Sequence, residues 1–87
     1  MTTQTLHDPV TIWTAAGVPA RFVWRGRRYR ITDRPTPLRT TCDAGLTHPL
    51  EPLIGWRFQG TDDAGDSSVY DVKRTAGGEW ELVAVYV

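Results

Sequence analysis

The chain has 87 residues, with ten basic and ten acidic side chains, a formal net charge of zero and a single cysteine. This length suits one domain and is too short for two. No apolar run is long enough to cross a membrane as a helix, and the N-terminus lacks the basic and apolar segments of a secretory signal. Because small secreted domains usually carry paired cysteines, the lone Cys42 favours a reducing, cytoplasmic location.

Apolar and polar residues alternate with a period of two along most of the chain, which indicates β-strands. Residues 1–8 are polar, and we expect them to form a disordered tail ahead of a single domain at residues 9–87. Residues 10–12 then begin a first short strand, and Ala16-Gly17 marks the turn after it.

The clearest element is a β-hairpin. Residues 20–24 and 27–33 are predicted strands, and Arg25-Gly26 is predicted to join them as a two-residue loop. Gly26 can adopt the positive φ that such a tight turn requires. Residues 34–53 follow with four prolines and no clean periodicity, which predicts one long proline-rich loop.

The C-terminal part of the chain predicts three further strands. Residues 56–59 alternate as a fourth strand, and residues 62–66 (DDAGD) form a loop. Residues 69–74 and 80–86 then make a closing hairpin. Its last strand is apolar on both faces and is therefore expected to be central in the sheet or covered on both faces. The fold class predicted from these elements is all-β: a small antiparallel barrel of the Src-homology type, or a strongly bent sheet, with five to six strands.

No residue pattern indicates catalysis or metal binding. His7 and His48 do not lie at metal-ligand spacing from a cysteine, and Cys42 has no histidine base nearby in the sequence. The aspartates of residues 62–66 lack the ligand spacing and the closing glutamate of an EF-hand. We therefore expect no enzyme activity, no cofactor, no metal site and no small-molecule substrate.

Charge is unevenly distributed along the chain. Residues 20–40 carry seven arginines against the single acid Asp33, whereas residues 41–87 carry eight acids against three basic residues. Such a division predicts an oriented electrostatic surface.

The predicted hairpin sorts its side chains onto two faces, because alternate residues of a strand point to opposite sides. The face expected to meet the core holds Ala20, Phe22, Trp24, Tyr29 and Ile31. The other face holds Val23 and three candidate binding residues, Arg21, Arg28 and Arg30, with Arg25 and Arg27 at the hairpin tip as further candidates.

Two partner classes remain open for this arginine-rich hairpin. Arg21 is predicted to lie directly opposite Arg30, and like charges so placed are destabilising unless something neutralises them. Nucleic acid is one candidate, since guanidinium groups bind phosphates well. The alternative is a protein-interaction or structural module whose arginines pair with an acidic partner or with acids of the same chain, such as Asp71, Glu79 or Glu81. A sequence pI near 6.7 favours this alternative, because dedicated nucleic-acid domains are usually basic.

Two segments also carry a family resemblance. Residues 19–31 (PARFVWRGRRYRI), together with residues 68–74 (SVYDVKR) and 78–83 (GEWELV), resemble the two ends of a small actinobacterial domain family of unknown function. A similar segment lies at the C-terminal end of Y-family DNA-polymerase-like proteins of the mutasome. The resemblance covers about half of the chain, and residues 34–54 depart from the pattern. It implies a β module associated with DNA-damage tolerance and carries no catalytic residues.

Overall fold

The computed structural model describes residues 3–39 and 53–86 of the chain. Strands account for 75% of these residues, and no helix occurs among them. The all-β prediction is therefore confirmed. The strands are β1 (Thr3–Pro9), β2 (Thr11–Ala15), β3 (Val18–Trp24), β4 (Arg27–Ile31), β5 (Thr36–Arg39), β6 (Leu53–Asp62), β7 (Ser67–Arg74) and β8 (Trp80–Tyr86).

All eight strands belong to one antiparallel sheet with the order β1-β8-β7-β6-β4-β3-β2, and β5 pairs with the other half of β6. The sheet is not closed, so the structure differs from a barrel of five to six strands. Its two end strands, β1 and β2, follow each other in the chain around Val10. Asp8 in β1 contacts Trp24 in β3, which shows that the sheet curls until its two ends approach each other.

The N-terminal segment differs from the prediction. The sequence predicts a disordered tail over residues 1–8, whereas Thr3–Pro9 forms β1 and pairs with β8. Leu6 packs against the core from this strand. The prediction that the last strand is central is confirmed, because β8 has β1 on one side and β7 on the other.

The β3–β4 hairpin has the predicted register. Arg21 lies opposite Arg30 and Phe22 lies opposite Tyr29. The two loop residues have positive φ values, 51° at Arg25 and 77° at Gly26, as a two-residue type I′ turn requires. This turn matches the right-handed twist of the flanking strands, which is why so short a loop can join them.

The predicted long loop also needs correction. Thr36–Arg39 forms the short strand β5, and β6 begins at Leu53 rather than at residue 56. Pro37 lies in β5, for which the described residues supply one neighbour, β6. Proline is tolerated in edge strands because its missing N–H can be on the side that has no partner strand. The rest of the predicted loop, residues 40–52, lies outside the described residues.

The core lies on the inner face of the curled sheet and is rich in aromatic rings. Phe22 is 1% exposed, stacks on Tyr29 at a centroid distance of 4.6 Å and lies 5.1 Å from the Tyr70 ring. Gly60 lies beneath this cluster, and a Cβ there would come within 2.7 Å of the Phe22 ring.

Burial confirms most of the predicted core face. Tyr29 is buried like Phe22, and Trp24 and Ile31 are half-buried against the core, but Ala20 is exposed. None of the described residues belongs to a helix long and apolar enough to span a membrane.

Candidate anion-binding face

Arg21, Arg28 and Arg30 lie on the outer face of the β3–β4 hairpin, and we call these three residues the arginine face. All three are exposed, and the half-buried Val23 lies among them, directly opposite Arg28. Within the part of the chain that the structure describes, no carboxylate oxygen lies within 4.0 Å of a nitrogen of these three side chains. The like-charge pair that the sequence predicts is therefore present, and no carboxylate of the described residues lies close enough to neutralise it.

An exposed tryptophan adjoins the arginine face. Trp13 in β2 is the cross-strand partner of Arg21, and the Arg21 guanidinium carbon lies 5.0 Å from the centroid of the Trp13 ring. This distance allows a cation–π interaction. Trp13 nevertheless remains 42% exposed. Arg21 thus has an aromatic neighbour on one side and the positive charge of Arg30 on the other.

Hydroxyl groups continue the same outer face beyond Arg30. Thr61 of β6 pairs with Arg30, and Ser67 of β7 pairs with Thr61. The Thr61 hydroxyl lies 2.7 Å from that of Ser67 and 3.1 Å from that of Thr32. Guanidinium and hydroxyl groups are both common partners of phosphate oxygens, so this row extends the polar surface that an anion would meet.

A surface groove of about 620 Å³ lies along the arginine face. Its lining includes Trp13 and the whole arginine face, and Asp63 also contributes to it. The groove therefore combines an apolar ring with several positive charges at one place on the surface.

Arg25 and Arg27, the other two predicted binding residues, are engaged within the chain. Arg25 Nε and Nη2 each lie 2.9 Å from Oδ2 of Asp8, and its guanidinium lies over the Trp24 ring at 4.7 Å. Arg27 Nη1 lies 3.6 Å from Oδ2 of Asp62. The structure thus brings together three of the five predicted residues and separates the other two. The sequence could not indicate this, because the two aspartates come from β1 and the end of β6.

The acidic loop is a structural turn. Asp62 is buried, and its Oδ1 accepts the backbone N–H groups of Ala64 and Asp66, both at 2.9 Å. These bonds hold the β6–β7 turn. Among residues 3–39 and 53–86, no group of three or more side chains is placed to hold a metal ion.

The acids of the closing hairpin do not cross over to the arginine face. Asp71 is buried and makes a two-pronged ion pair with Arg57, with Nε–Oδ1 at 2.8 Å and Nη2–Oδ2 at 3.0 Å. The Tyr86 hydroxyl donates to Asp71 Oδ2 at 2.7 Å. The hydrogen bond to Asp71 raises the pKa of Arg57 and also that of Tyr86. Glu81 Oε1 lies 2.6 Å from Nδ1 of His7.

The Arg57–Asp71 pair is a structural feature that the sequence did not indicate. The two residues are direct partners between β6 and β7. Once the β6–β7 register is known, strand alternation places both side chains on the same face of the sheet. Nothing in the local sequence determines that register.

Comparison with known proteins gives no relative for this chain. A scan against models of protein families found no match, and searches of curated proteins and of solved structures found none either.

Proposed function

We propose that this chain is a non-enzymatic β binding module whose arginine face binds the phosphate groups of nucleic acid. The observation that carries the proposal is the cross-strand pair of Arg21 and Arg30, which no carboxylate of the described residues neutralises. This pair repels itself in the free protein, and a bound anion would remove the repulsion.

Acids elsewhere in the chain do pair with arginines, so the lack of a described acidic partner at the arginine face is informative. Three aspartates each pair with a different arginine: Asp8 with Arg25, Asp62 with Arg27 and Asp71 with Arg57. Among the described residues, then, the acids that form ion pairs do so with other basic groups, and none pairs with the arginine face. Three separate guanidinium groups on two strands suit a polymer of phosphates better than a single anion, because each can engage a different phosphate.

An acidic protein partner is the second candidate. The overall charge of zero favours it, and two arginines of the hairpin, Arg25 and Arg27, do pair with acids of the same chain. Nucleic acid is preferred because the groove beside the arginine face also holds Trp13, an aromatic ring on which a base can stack. The resemblance to mutasome proteins adds DNA-damage tolerance as the biological setting of the proposal.

The test is a heteronuclear NMR titration with single-stranded and duplex DNA at two salt concentrations. We expect shifts clustered at residues 21–30 that shrink as salt rises. Three phosphate contacts give a slope of log affinity against log salt of about −2 for a single strand. Arg21→Gln should lower the affinity and reduce this slope by about 0.7, since one contact is lost.

Lys73→Gln is the matched control, because Lys73 is an exposed basic residue of β7 that does not line the groove beside the arginine face. It removes one positive charge and should change the affinity little. An absence of shifts with either DNA, together with hairpin shifts on adding an acidic peptide such as polyglutamate, would reject nucleic acid in favour of the protein partner.

A further inference from the structure

Trp13 is the tryptophan that the core does not account for. Three of the four tryptophans, Trp24, Trp56 and Trp80, pack against the core cluster. Trp13 lies in the end strand β2 and is 42% exposed. Trp13 is not among the described residues that pack against the core cluster, and the exposed part of its ring is available to a ligand.

The position of the ring relative to the arginine face indicates which ligand fits. Trp13, Arg21 and Arg30 are successive cross-strand partners in one row. Neighbouring strands lie about 4.8 Å apart, so the row spans about 10 Å. A planar group against Trp13 therefore places whatever is attached to it within reach of two guanidinium groups.

We propose that the ligand of this groove is single-stranded nucleic acid, with a base stacked on Trp13 and the flanking phosphates bound by the arginine face. The inference rests on the proposed function and specifies its ligand. Exposed aromatic rings beside basic side chains are the usual means by which proteins hold single strands, because every base has a π-face to stack. A duplex keeps its bases stacked on each other, so it could use the arginines but not the ring.

Arg21 also prepares the site for this use. Its guanidinium at 5.0 Å from the ring centroid restrains the ring before any ligand arrives. A ring that is already held loses less conformational freedom on binding. Arg21 therefore has two roles in the proposal, as a phosphate ligand and as a support for Trp13.

The experiment compares labelled oligonucleotides by fluorescence anisotropy at low salt: a single DNA strand, the same sequence as RNA and the corresponding DNA duplex. We expect both single strands to bind more tightly than the duplex. Trp13→Ala should weaken single-strand binding by about five- to 140-fold, as loss of one base–aromatic stack does, and should change duplex binding little. Trp13→Tyr should retain most of the affinity, whereas Trp13→Leu should behave like Trp13→Ala.

Two further measurements keep the outcomes distinct. Melting curves of each variant show that the fold is retained, and Lys73→Gln again controls for the loss of a distant charge. If Arg21→Gln and Arg30→Gln weaken binding to single strand and duplex alike while Trp13→Ala changes neither, the single-strand inference is wrong and the proposed function stands. Absence of binding to all three probes rejects both. If Trp13→Ala instead abolishes self-association seen by sedimentation, the ring contacts a second copy and the inference is overturned.

Discussion

Two kinds of arginine share the outer face of this sheet. Arg57 is held by the buried Asp71 in a two-pronged ion pair and lies 5.0 Å from the Tyr86 ring. Arg21 and Arg30 face each other with no carboxylate partner among the described residues. The first arrangement stabilises the fold, and the second costs stability in the free protein.

This contrast predicts opposite effects of the same chemical change. Arg30→Gln should leave the free energy of unfolding unchanged or raise it by up to about 0.5 kcal/mol, because a cross-strand repulsion is removed. Arg57→Gln should lower it by about 2–3 kcal/mol, because the buried Asp71 loses its charged partner. Urea unfolding of both variants measures the two values. A loss of about 1 kcal/mol in Arg30→Gln would mean that Arg30 has a stabilising partner within the chain.

At the level of elements, the hairpin tip is fixed by the strand that the sequence predicted to be a tail. Asp8 in β1 accepts hydrogen bonds from Trp24 Nε1 at 3.2 Å and from Arg25 Nε at 2.9 Å. These contacts join the first strand in the chain to the β3–β4 hairpin. They hold the curled sheet together at a place where no backbone pairing links β1 and β3.

We therefore expect Asp8→Ala to lower the free energy of unfolding by about 1–2 kcal/mol, since the lost hydrogen bonds are charge-assisted but partly exposed. Asp63→Ala is the matched control: Asp63 is exposed in the β6–β7 turn and makes no ion pair with any described residue, so its change should stay within about 0.5 kcal/mol. Chemical denaturation distinguishes the two. Equal stability of Asp8→Ala and the parent chain would show that β1 is frayed in solution.

The elements that sequence reasoning missed are those whose pairing depends on distant residues. The β3–β4 register was predictable because a two-residue loop and strict alternation determine it locally. In contrast, Thr3–Pro9 has a single large apolar residue, Leu6, and becomes a strand because β8 offers an edge to it. Thr36–Arg39 contains a proline, which argues against a strand except at an edge.

The residues of the candidate site also differ in whether local sequence or distant contacts determine them. The grouping of Arg21, Arg28 and Arg30 followed from the hairpin register alone. The removal of Arg25 and Arg27 from that group required the positions of Asp8 and Asp62, which only the three-dimensional fold supplies. The role proposed for Trp13 depends in the same way on the β2–β3 pairing.

For the molecule as a whole, one aromatic cluster joins both hairpins. The Tyr70 ring of β7 lies 5.1 Å from Phe22, 5.6 Å from Tyr29 and 6.5 Å from Phe58. These rings come from β3, β4 and β6, so Tyr70 contacts the centre of the fold from the C-terminal hairpin. A charge on its hydroxyl would disturb packing shared by most of the sheet.

Because of Tyr70, we expect the free energy of unfolding to depend on pH in the alkaline range. Burial, and next the neighbouring Tyr29, raises the pKa of Tyr70 to about 12, from 10.0 for an ordinary tyrosine. Between these values the folded chain keeps a proton that the unfolded chain releases, so the stabilising effect is complete below pH 10 and is lost as pH rises toward 12. At about 1.4 kcal/mol for each pKa unit, the loss amounts to about 2–3 kcal/mol.

Tyr70→Phe tests this because it keeps the ring and removes the proton. Its free energy of unfolding should fall less steeply than that of the parent chain between about pH 10 and 12, as measured by urea unfolding across that range. Tyr86→Phe is the comparison at a second tyrosine, whose pKa is raised chiefly by its hydrogen bond to Asp71. The Tyr86 hydroxyl contacts Arg57 and Asp71 and lies outside the aromatic cluster. Tyr86→Phe should therefore leave in place the pH dependence of stability that Tyr70 causes. Parallel curves for Tyr70→Phe and the parent chain would place the alkaline sensitivity outside the aromatic cluster.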